Sequence, residues 1–172
     1  ASGTSLDLMA RSLDEAQLDR AIAALAGAET VYIIARRRSY PVASYMAYAL
    51  GKLGVRNQLV ESAAGLSPEI LSFATPRDVA LAVSFSPYAA ETIDEARQLS
   101  ERGVPVVAIT DSAFSPLVQF ATLWFEVAEA DFGGFRTLSA TMALSMALAV
   151  GIGDARRDRK PGKPRGRARN PA

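Results

Sequence analysis

The sequence of 172 residues predicts a flavodoxin-like α/β fold, a three-layer sandwich with helices on both faces of a parallel sheet. Three observations carry this prediction. Segments that are apolar throughout, as strands covered on both faces require, alternate with segments of helical periodicity. The connections between them span only a few residues, which favours right-handed crossovers. Five such strands in a chain of this length favour the strand order 2-1-3-4-5.

The first half of the chain gives, in order, a helix, a strand, a turn, a helix and a short strand: residues 13–27, 30–35, 36–39, 40–53 and 58–60. Leu18, Ile22 and Leu25 recur at helical spacing and predict the first helix. Gly27 ends that helix, and Pro41 is tolerated in the first turn of the next one.

The second half continues the same alternation, with helices and strands at residues 68–73, 79–83, 87–102, 105–109, 115–120, 123–127 and 135–150. Residues 75–78 form a turn into the apolar strand that follows, and Gly103 closes the long helix before the next strand. Gly133 and Gly134 form a loop that leads into the last, largely apolar helix.

The absence of cysteine and histidine limits the chemistry that this chain can perform. Without cysteine there is neither a disulfide framework nor a thiolate, which suits the reducing cytoplasm. Without histidine the chain lacks the commonest general base, the commonest transition-metal ligand and any serine–histidine triad. We therefore predict no metal, no cofactor and a cytoplasmic location.

Charge divides the chain into an acidic domain and a basic end. Residues 154–172 carry eight basic and two acidic side chains, whereas residues 1–153 carry 11 basic and 16 acidic ones. We predict a linker or N-terminal arm at 1–12, one globular domain at 13–153, and a disordered tail at 154–172. The tail is read as a solvated terminus in preference to a nucleic-acid or membrane contact. No apolar run reaches the roughly 18 residues that span a bilayer.

Serines follow two strands that the predicted order makes neighbours. Open α/β sheets bind ligands at the carboxyl ends of the strands where the strand order reverses, which here lies between the first and third strands. The turns after these strands contain Ser39, Ser84 and Ser86, and each turn precedes a helix. Because a helix N-terminus favours an anion and a hydroxyl can donate to one, the two turns predict a phosphate cradle.

Simpler interpretations of these residues remain open. Ser39 and Ser86 could each be the N-cap of the following helix, a position that serine prefers. Ser84 closes an apolar strand, and capping alone does not account for it. Of the three arginines at 36–38, at most one is expected to reach the phosphate, and the others could pair with acids such as Glu61.

Four segments, in the same order along the chain, resemble the SIS (sugar isomerase) domain: residues 31–43, 83–92, 107–121 and 133–138. The similarity extends over about residues 13–152 and is greatest to the effector domain of RpiR-type (MurR/RpiR) transcriptional regulators. The resemblance implies a domain that binds a phosphosugar through Ser39, Ser84 and Ser86, with Arg38 and Tyr88 added as candidate contacts. It also implies a homodimer or larger assembly, and DNA contact through a helix-turn-helix domain that is not in this chain.

The chain departs from the family pattern in both loops. SIS domains often read Gly-x-Gly-x-Ser in the first loop, where this chain has Ala35 and Arg37. In the second, the usual Ser-x-Ser-Gly-x-Thr becomes a sequence with Pro87 and Ala89, which removes one hydroxyl. Pro87 is expected at the first position of the following helix.

Two other functions compete with the sensor. An aldose–ketose isomerase would need a base, for which Glu91 is a candidate, but an acid partner is missing because the chain has no histidine. A dimerisation-only module would use the apolar helix at 141–150. The sensor is preferred, and Tyr88, Glu129 and Arg136 are candidates for ligand selectivity.

Overall fold

A five-stranded parallel sheet forms the centre of the computed structural model, which describes residues 2–61 and 64–159. The strands are β1 (Val31–Ala35), β2 (Asn57–Leu59), β3 (Val79–Val83), β4 (Val106–Thr110) and β5 (Leu123–Glu126). They lie in the order β2-β1-β3-β4-β5, so the predicted fold class and topology are confirmed. Every residue of β1, β3 and β4 is buried, as continuous apolar runs require in a sheet covered on both faces.

Helices cover both faces of the sheet. They are α1 (Ser2–Ser12), α2 (Glu15–Gly27), α3 (Tyr40–Lys52), α4 (Ser67–Ser72), α5 (Ala90–Glu101) and α6 (Ser139–Arg159), with short 3-10 helices at Arg37–Ser39 and Pro116–Gln119. α2, α3 and α6 bury their apolar faces in one core, and α1 packs against its edge. α4 and α5 bury theirs in a second core on the opposite face. None of the helices in the described part of the chain is both long and apolar enough to cross a membrane.

Two segments near the carboxyl edge of the sheet differ from the prediction. α5 begins at Ala90, so Pro87 lies in the loop before the helix and is not its first residue. α6 begins at Ser139, after a hairpin of two short antiparallel strands, β6 (Asp131–Phe132) and β7 (Phe135–Arg136), that was not predicted. The two glycines between these strands take positive φ angles, which a tight two-residue turn requires.

Both ends of the described chain are more ordered than predicted. Residues 2–12 form α1, whose Leu6 and Met9 pack against the core, where an arm or linker was expected. Residues 154–159 continue α6, so the prediction of a disordered tail is wrong for this part. The guanidinium of Arg156 donates to the backbone oxygens of Ala26 and Ala28, and this cation at the C-terminus of α2 holds the last turns of α6 in place. Residues 160–172 of the predicted tail lie outside the described residues.

Candidate functional site

Two loops leave the sheet side by side. We call residues 36–39, between β1 and α3, the first loop, and residues 84–89, between β3 and α5, the second loop. β1 and β3 are paired in parallel up to their last residues, where Ala35 lies opposite Val83. The loops therefore begin at the same level and at adjacent positions, at the point of the sheet where the strand order reverses.

A cavity of about 190 Å³ lies between the two loops. Its lining comes from Arg36, Arg37, Arg38 and Ser39 of the first loop and from Ser84, Phe85, Pro87 and Ala89 of the second. Ser39 and Ser84, which are 45 positions apart in sequence, thus line the same cavity, and both are buried. Ser86 and Tyr88 belong to the second loop but are not among the residues that line this cavity.

The serines of the two loops do not cap helices. Ser39 precedes α3 and makes no capping hydrogen bond with its side chain. The residue that precedes α5 is Ala89, so Ser86 lies outside the capping position altogether. Neither α3 nor α5 therefore has a side chain that caps its first turn. In α3 the N–H of Tyr40 already donates to the backbone oxygen of Arg37 and Pro41 has no N–H, so the start of α5 is the better placed of the two to bind an anion.

The guanidinium of Arg36 is bound inside the protein. It donates to a carboxylate oxygen of Glu95 on α5 at 2.5 Å and to the backbone oxygen of Val60 at 2.8 Å. The side chain of Arg36 is only 12% exposed. This arginine thereby ties the first loop to the end of β2 and to the middle of α5.

Glu95 is buried and is paired with Arg36. Burial raises the pKa of Glu95 above its ordinary value, and the positive charge of Arg36 offsets only part of that rise. Its second carboxylate oxygen, Oε2, is buried without a hydrogen-bond partner in the described structure, as are Oγ1 of Thr92 and Nε of Arg36. Glu95 was not among the predicted site residues, because its partner Arg36 lies 59 residues away in sequence.

The other two arginines of the first loop have different roles. Arg38 reaches across the crevice and donates to the backbone oxygen of Ser86 in the second loop. Arg37 is exposed and has a φ of 53°, in the left-handed region that non-glycine residues rarely adopt. Glu61, which was expected to pair with an arginine of this loop, instead accepts a hydrogen bond from the hydroxyl of Tyr40.

Asp111, the first residue after β4, holds the second loop in place by hydrogen bonds. It accepts hydrogen bonds from the backbone N–H of Ser86 at 3.0 Å, from the hydroxyl of Tyr88 at 2.9 Å, and from the guanidinium of Arg136 at 2.6 Å. Burial alone would raise the pKa of Asp111, but the bond from Arg136, with those from the other two donors, holds the pKa below its ordinary value. Its position directly after a buried strand at the carboxyl edge of the sheet was the signal that could have identified it.

The remaining sequence candidates lie away from the cavity. Glu129 accepts hydrogen bonds from the backbone N–H and the hydroxyl of Thr141 and from the hydroxyl of Thr137, so it caps the start of α6. Arg136 is paired with Asp111. Glu91 is exposed on the first turn of α5 and is not among the residues that line the cavity.

Comparison with known proteins relates this chain to one family. The family model described as the SIS domain matches residues 24–151. A search of curated protein sequences finds no significant match. Among solved structures, the sugar isomerase domain of an RpiR transcription factor from Sphaerobacter thermophilus is 25% identical, with a TM-score of 0.85 and coverage of 92% of this chain and 88% of that one.

Two further solved structures share the fold at lower identity. The NanR protein of Vibrio vulnificus, described as complexed with ManNAc-6P, is 24% identical with a TM-score of 0.77, and the match covers 92% of this chain but only 60% of that one. A hypothetical protein of Methanococcus jannaschii, whose description infers a 3-hexulose-6-phosphate isomerase, is 17% identical with a TM-score of 0.69 and coverage of 91% and 88%.

Proposed function

The chain belongs to the SIS domain family, and from this membership we propose that it is the phosphosugar-sensing domain of a transcriptional regulator of carbohydrate metabolism. The similarity to the RpiR transcription factor, which covers most of both chains, supports the regulator assignment. The NanR protein, a second structure of the same fold, is described with a sugar phosphate, ManNAc-6P. These similarities support sugar phosphates as the class of ligand and do not single out one compound.

One observation carries the proposal: two hydroxyl-bearing loops and two uncapped helix starts converge on one cavity. Ser39 and Ser84 line it, and α3 and α5 begin beside it. Backbone N–H groups at a helix start favour an anion, and each serine can donate a hydrogen bond to a phosphate oxygen. At about 190 Å³ the cavity is smaller than the roughly 300–1,000 Å³ of pockets that enclose a drug-sized ligand, so it would hold the phosphate and leave the sugar at its mouth.

The candidate contacts have distinct roles in this proposal. Arg38 supplies the positive charge, and an incoming phosphate would replace the backbone oxygen of Ser86 as the acceptor of its guanidinium. Arg36 is not assigned this role because its two terminal guanidinium nitrogens are already bound to Glu95 and to the backbone oxygen of Val60. Ser86 is a contact at the mouth through its hydroxyl, next to Tyr88, whose own hydroxyl is bound to Asp111.

The regulator would act as a homodimer or larger assembly in the cytoplasm. DNA would be contacted by a helix-turn-helix domain outside this sequence, because the globular part has an excess of acidic residues and so lacks a basic face for DNA. In this proposal the domain binds its ligand without transforming it. Glu91, the candidate base, is exposed and lies outside the cavity lining, which argues against proton transfer at this site.

Isothermal titration calorimetry with a panel of sugar phosphates tests the proposal. We expect N-acetylmannosamine 6-phosphate or a related sugar phosphate to bind, and Ser84→Ala to weaken its binding by about 1–3 kcal/mol through the loss of a hydrogen bond to a charged group. Ser72→Ala, which changes an exposed serine on α4, is the matched control and should bind as the wild type does. Unchanged affinity in Ser84→Ala would place the ligand elsewhere.

The same panel separates the sensor from its alternatives. Aldose–ketose interconversion that Glu91→Gln abolishes would establish the isomerase and overturn the sensor. A chain that forms a stable dimer but binds no member of the panel would establish the dimerisation-only module.

A further inference from the structure

A continuous set of polar contacts joins the second loop to the β6–β7 hairpin. At the loop end, Asp111 accepts from the backbone N–H of Ser86 and from the hydroxyl of Tyr88. At the hairpin end, the same carboxylate accepts from Arg136 of β7 at 2.6 Å. One side chain therefore holds two segments that the sheet itself does not connect.

The hairpin is closed around the same arginine. Nε of Arg136 lies 3.5 Å from the carboxylate of Asp131, the residue opposite it in the antiparallel pair. The other oxygen of Asp131 accepts from the backbone N–H of Gly134 in the turn at 2.7 Å. A movement of Arg136 would therefore be transmitted to both the strands and the turn of the hairpin.

At its loop end this network meets Arg38 of the first loop, which lines the cavity. Arg38 of the first loop donates to the backbone oxygen of Ser86, while the N–H of the same residue donates to Asp111. A phosphate that takes over the guanidinium of Arg38 would release the backbone oxygen of Ser86 and leave the N–H of the same residue on Asp111. The backbone of Ser86 is thus held on one side by Arg38, which lines the cavity, and on the other by Asp111, which also binds the hairpin.

We propose that Asp111 is a positioning residue that couples the second loop to the β6–β7 hairpin, so that occupation of the crevice alters the order of the hairpin. The side chain of Asp111 is only 14% exposed, so water competes little for its hydrogen bond with Arg136. The ligand part of this inference rests on the proposed function, whereas the mechanical link between loop and hairpin does not.

Amide hydrogen exchange, followed by NMR in the absence of ligand, tests the link. Arg136→Gln removes the hairpin end of the network without touching the second loop. If Asp111 couples the two, exchange at the Ser86 amide should become faster by about 2- to 30-fold, the range of couplings measured along such contact networks. Arg136→Lys, which restores the cation, should bring exchange back toward the wild-type rate.

Arg97→Gln is the matched control, because Arg97 also pairs with two carboxylates but does so on the exposed face of α5. It should leave exchange at the Ser86 amide unchanged. If Arg136→Gln accelerates exchange in the hairpin only, and the Ser86 amide keeps its wild-type rate, Asp111 serves each segment separately and the proposal is overturned.

A spin label tests the ligand part. The chain has no cysteine, so Phe135→Cys in the exposed hairpin gives a single labelling site. Adding N-acetylmannosamine 6-phosphate, or whichever sugar phosphate the calorimetric panel identifies, should change the nitroxide line shape in the otherwise wild-type protein. With Asp111→Asn binding should weaken, and at saturation the line shape should stay that of the free protein.

The outcomes separate the two proposals. An equal change of line shape in Asp111→Asn, or no change in the wild type at saturation, overturns the ligand-dependent coupling while the sensor assignment stands. If no sugar phosphate binds the wild type, the proposed function fails, and the amide exchange result alone decides whether Asp111 links loop and hairpin.

Discussion

Each of the two loops is anchored by an acidic side chain, Glu95 for the first loop and Asp111 for the second, yet the pKa values of the two acids shift in opposite directions. Glu95 holds the first loop through Arg36, and its pKa is raised. Asp111 holds the second loop through the Ser86 peptide, and its pKa is lowered. Both carboxylates have an arginine within 2.6 Å, so the presence of a salt bridge does not explain the difference.

Depth of burial, neighbouring charge and the number of hydrogen-bond donors explain it together: Glu95 is the more deeply buried acid and has Glu91 and Asp94 nearby, whereas Asp111 has more donors. Asp111 has three donors distributed over both of its oxygens, two of which come from the second loop itself. Glu95 has Arg36 on one oxygen, and its other oxygen is buried without a partner. A single cation does not replace the water that a carboxylate loses on burial, whereas a full set of donors does. The cost of burying the Glu95 carboxylate is therefore only partly offset, whereas the hydrogen bonds of Asp111 offset the cost of burying its carboxylate.

The largest effect that this comparison predicts is on Arg36→Met. The substitution leaves Glu95 buried without a cation, and we expect the free energy of unfolding at pH 7 to fall by about 3–5 kcal/mol, as is typical when one partner of a buried pair is removed. Urea denaturation followed by circular dichroism measures the change. Arg77→Met, which breaks an exposed pair with Glu29, should cost no more than about 1 kcal/mol.

A double variant sharpens this test. Adding Glu95→Leu to Arg36→Met removes the stranded carboxylate and should recover most of the lost stability, since apolar residues often replace a buried ion pair without loss. A double variant as unstable as Arg36→Met alone would show that packing by the arginine side chain, and not the stranded charge of Glu95, causes the loss.

Asp111→Ala should have a smaller effect on stability. It removes three hydrogen bonds, but Arg136 keeps a second carboxylate, Asp131, and its side chain is 26% exposed, so water can reach the broken cluster. We expect the free energy of unfolding to fall by about 1–3 kcal/mol in the same urea experiment. A loss as large as that of Arg36→Met would contradict the expectation that removing Asp111 costs less stability than removing the partner of Glu95.

The pH dependence of stability should separate the two acids by sign. The lowered pKa of Asp111 gives stability that is present above its ordinary value of 3.8 and is lost as the pH falls through the lowered value. The raised pKa of Glu95 has the opposite consequence: stability is gained as the pH falls through the raised value toward 4.5.

Matched variants isolate each contribution between about pH 7 and pH 3. On acidification, the wild type should gain stability relative to Glu95→Gln before it loses stability relative to Asp111→Asn. Both differences come from urea midpoints in the same buffers. Two differences of the same sign would refute the contrast between the anchors.

The features of this molecule that depend on local sequence patterns could be predicted from the sequence. Apolar runs and helical spacing predicted all five sheet strands and their order, and the order then placed Ser39 and Ser84 at one mouth of the sheet. The anchors were missed, because Glu95 and Asp111 act on partners at least 23 residues away, which no local pattern reports. The hairpin was missed because strands of two residues leave no periodicity to detect.

The smallest predicted effect lies in the first loop, between the two anchors. Arg37 has a φ of 53°, at a position where SIS domains often carry glycine. A non-glycine residue in this region costs about 1–2 kcal/mol, and glycine relieves that strain while losing about 0.5–1 kcal/mol of chain entropy on folding. Arg37→Gly should therefore stabilise the protein by up to about 1 kcal/mol, a rise in Tm of about 2–4 °C at this chain length.

Arg37→Ala is the control that separates backbone strain from side-chain charge. Alanine keeps the Cβ atom that disfavours a positive φ, so its Tm should stay close to that of the wild type, and only the glycine variant should be more stable. An equal gain in both variants would mean that repulsion among the arginines of the first loop, and not the backbone at this residue, limits the stability of the loop that Glu95 anchors.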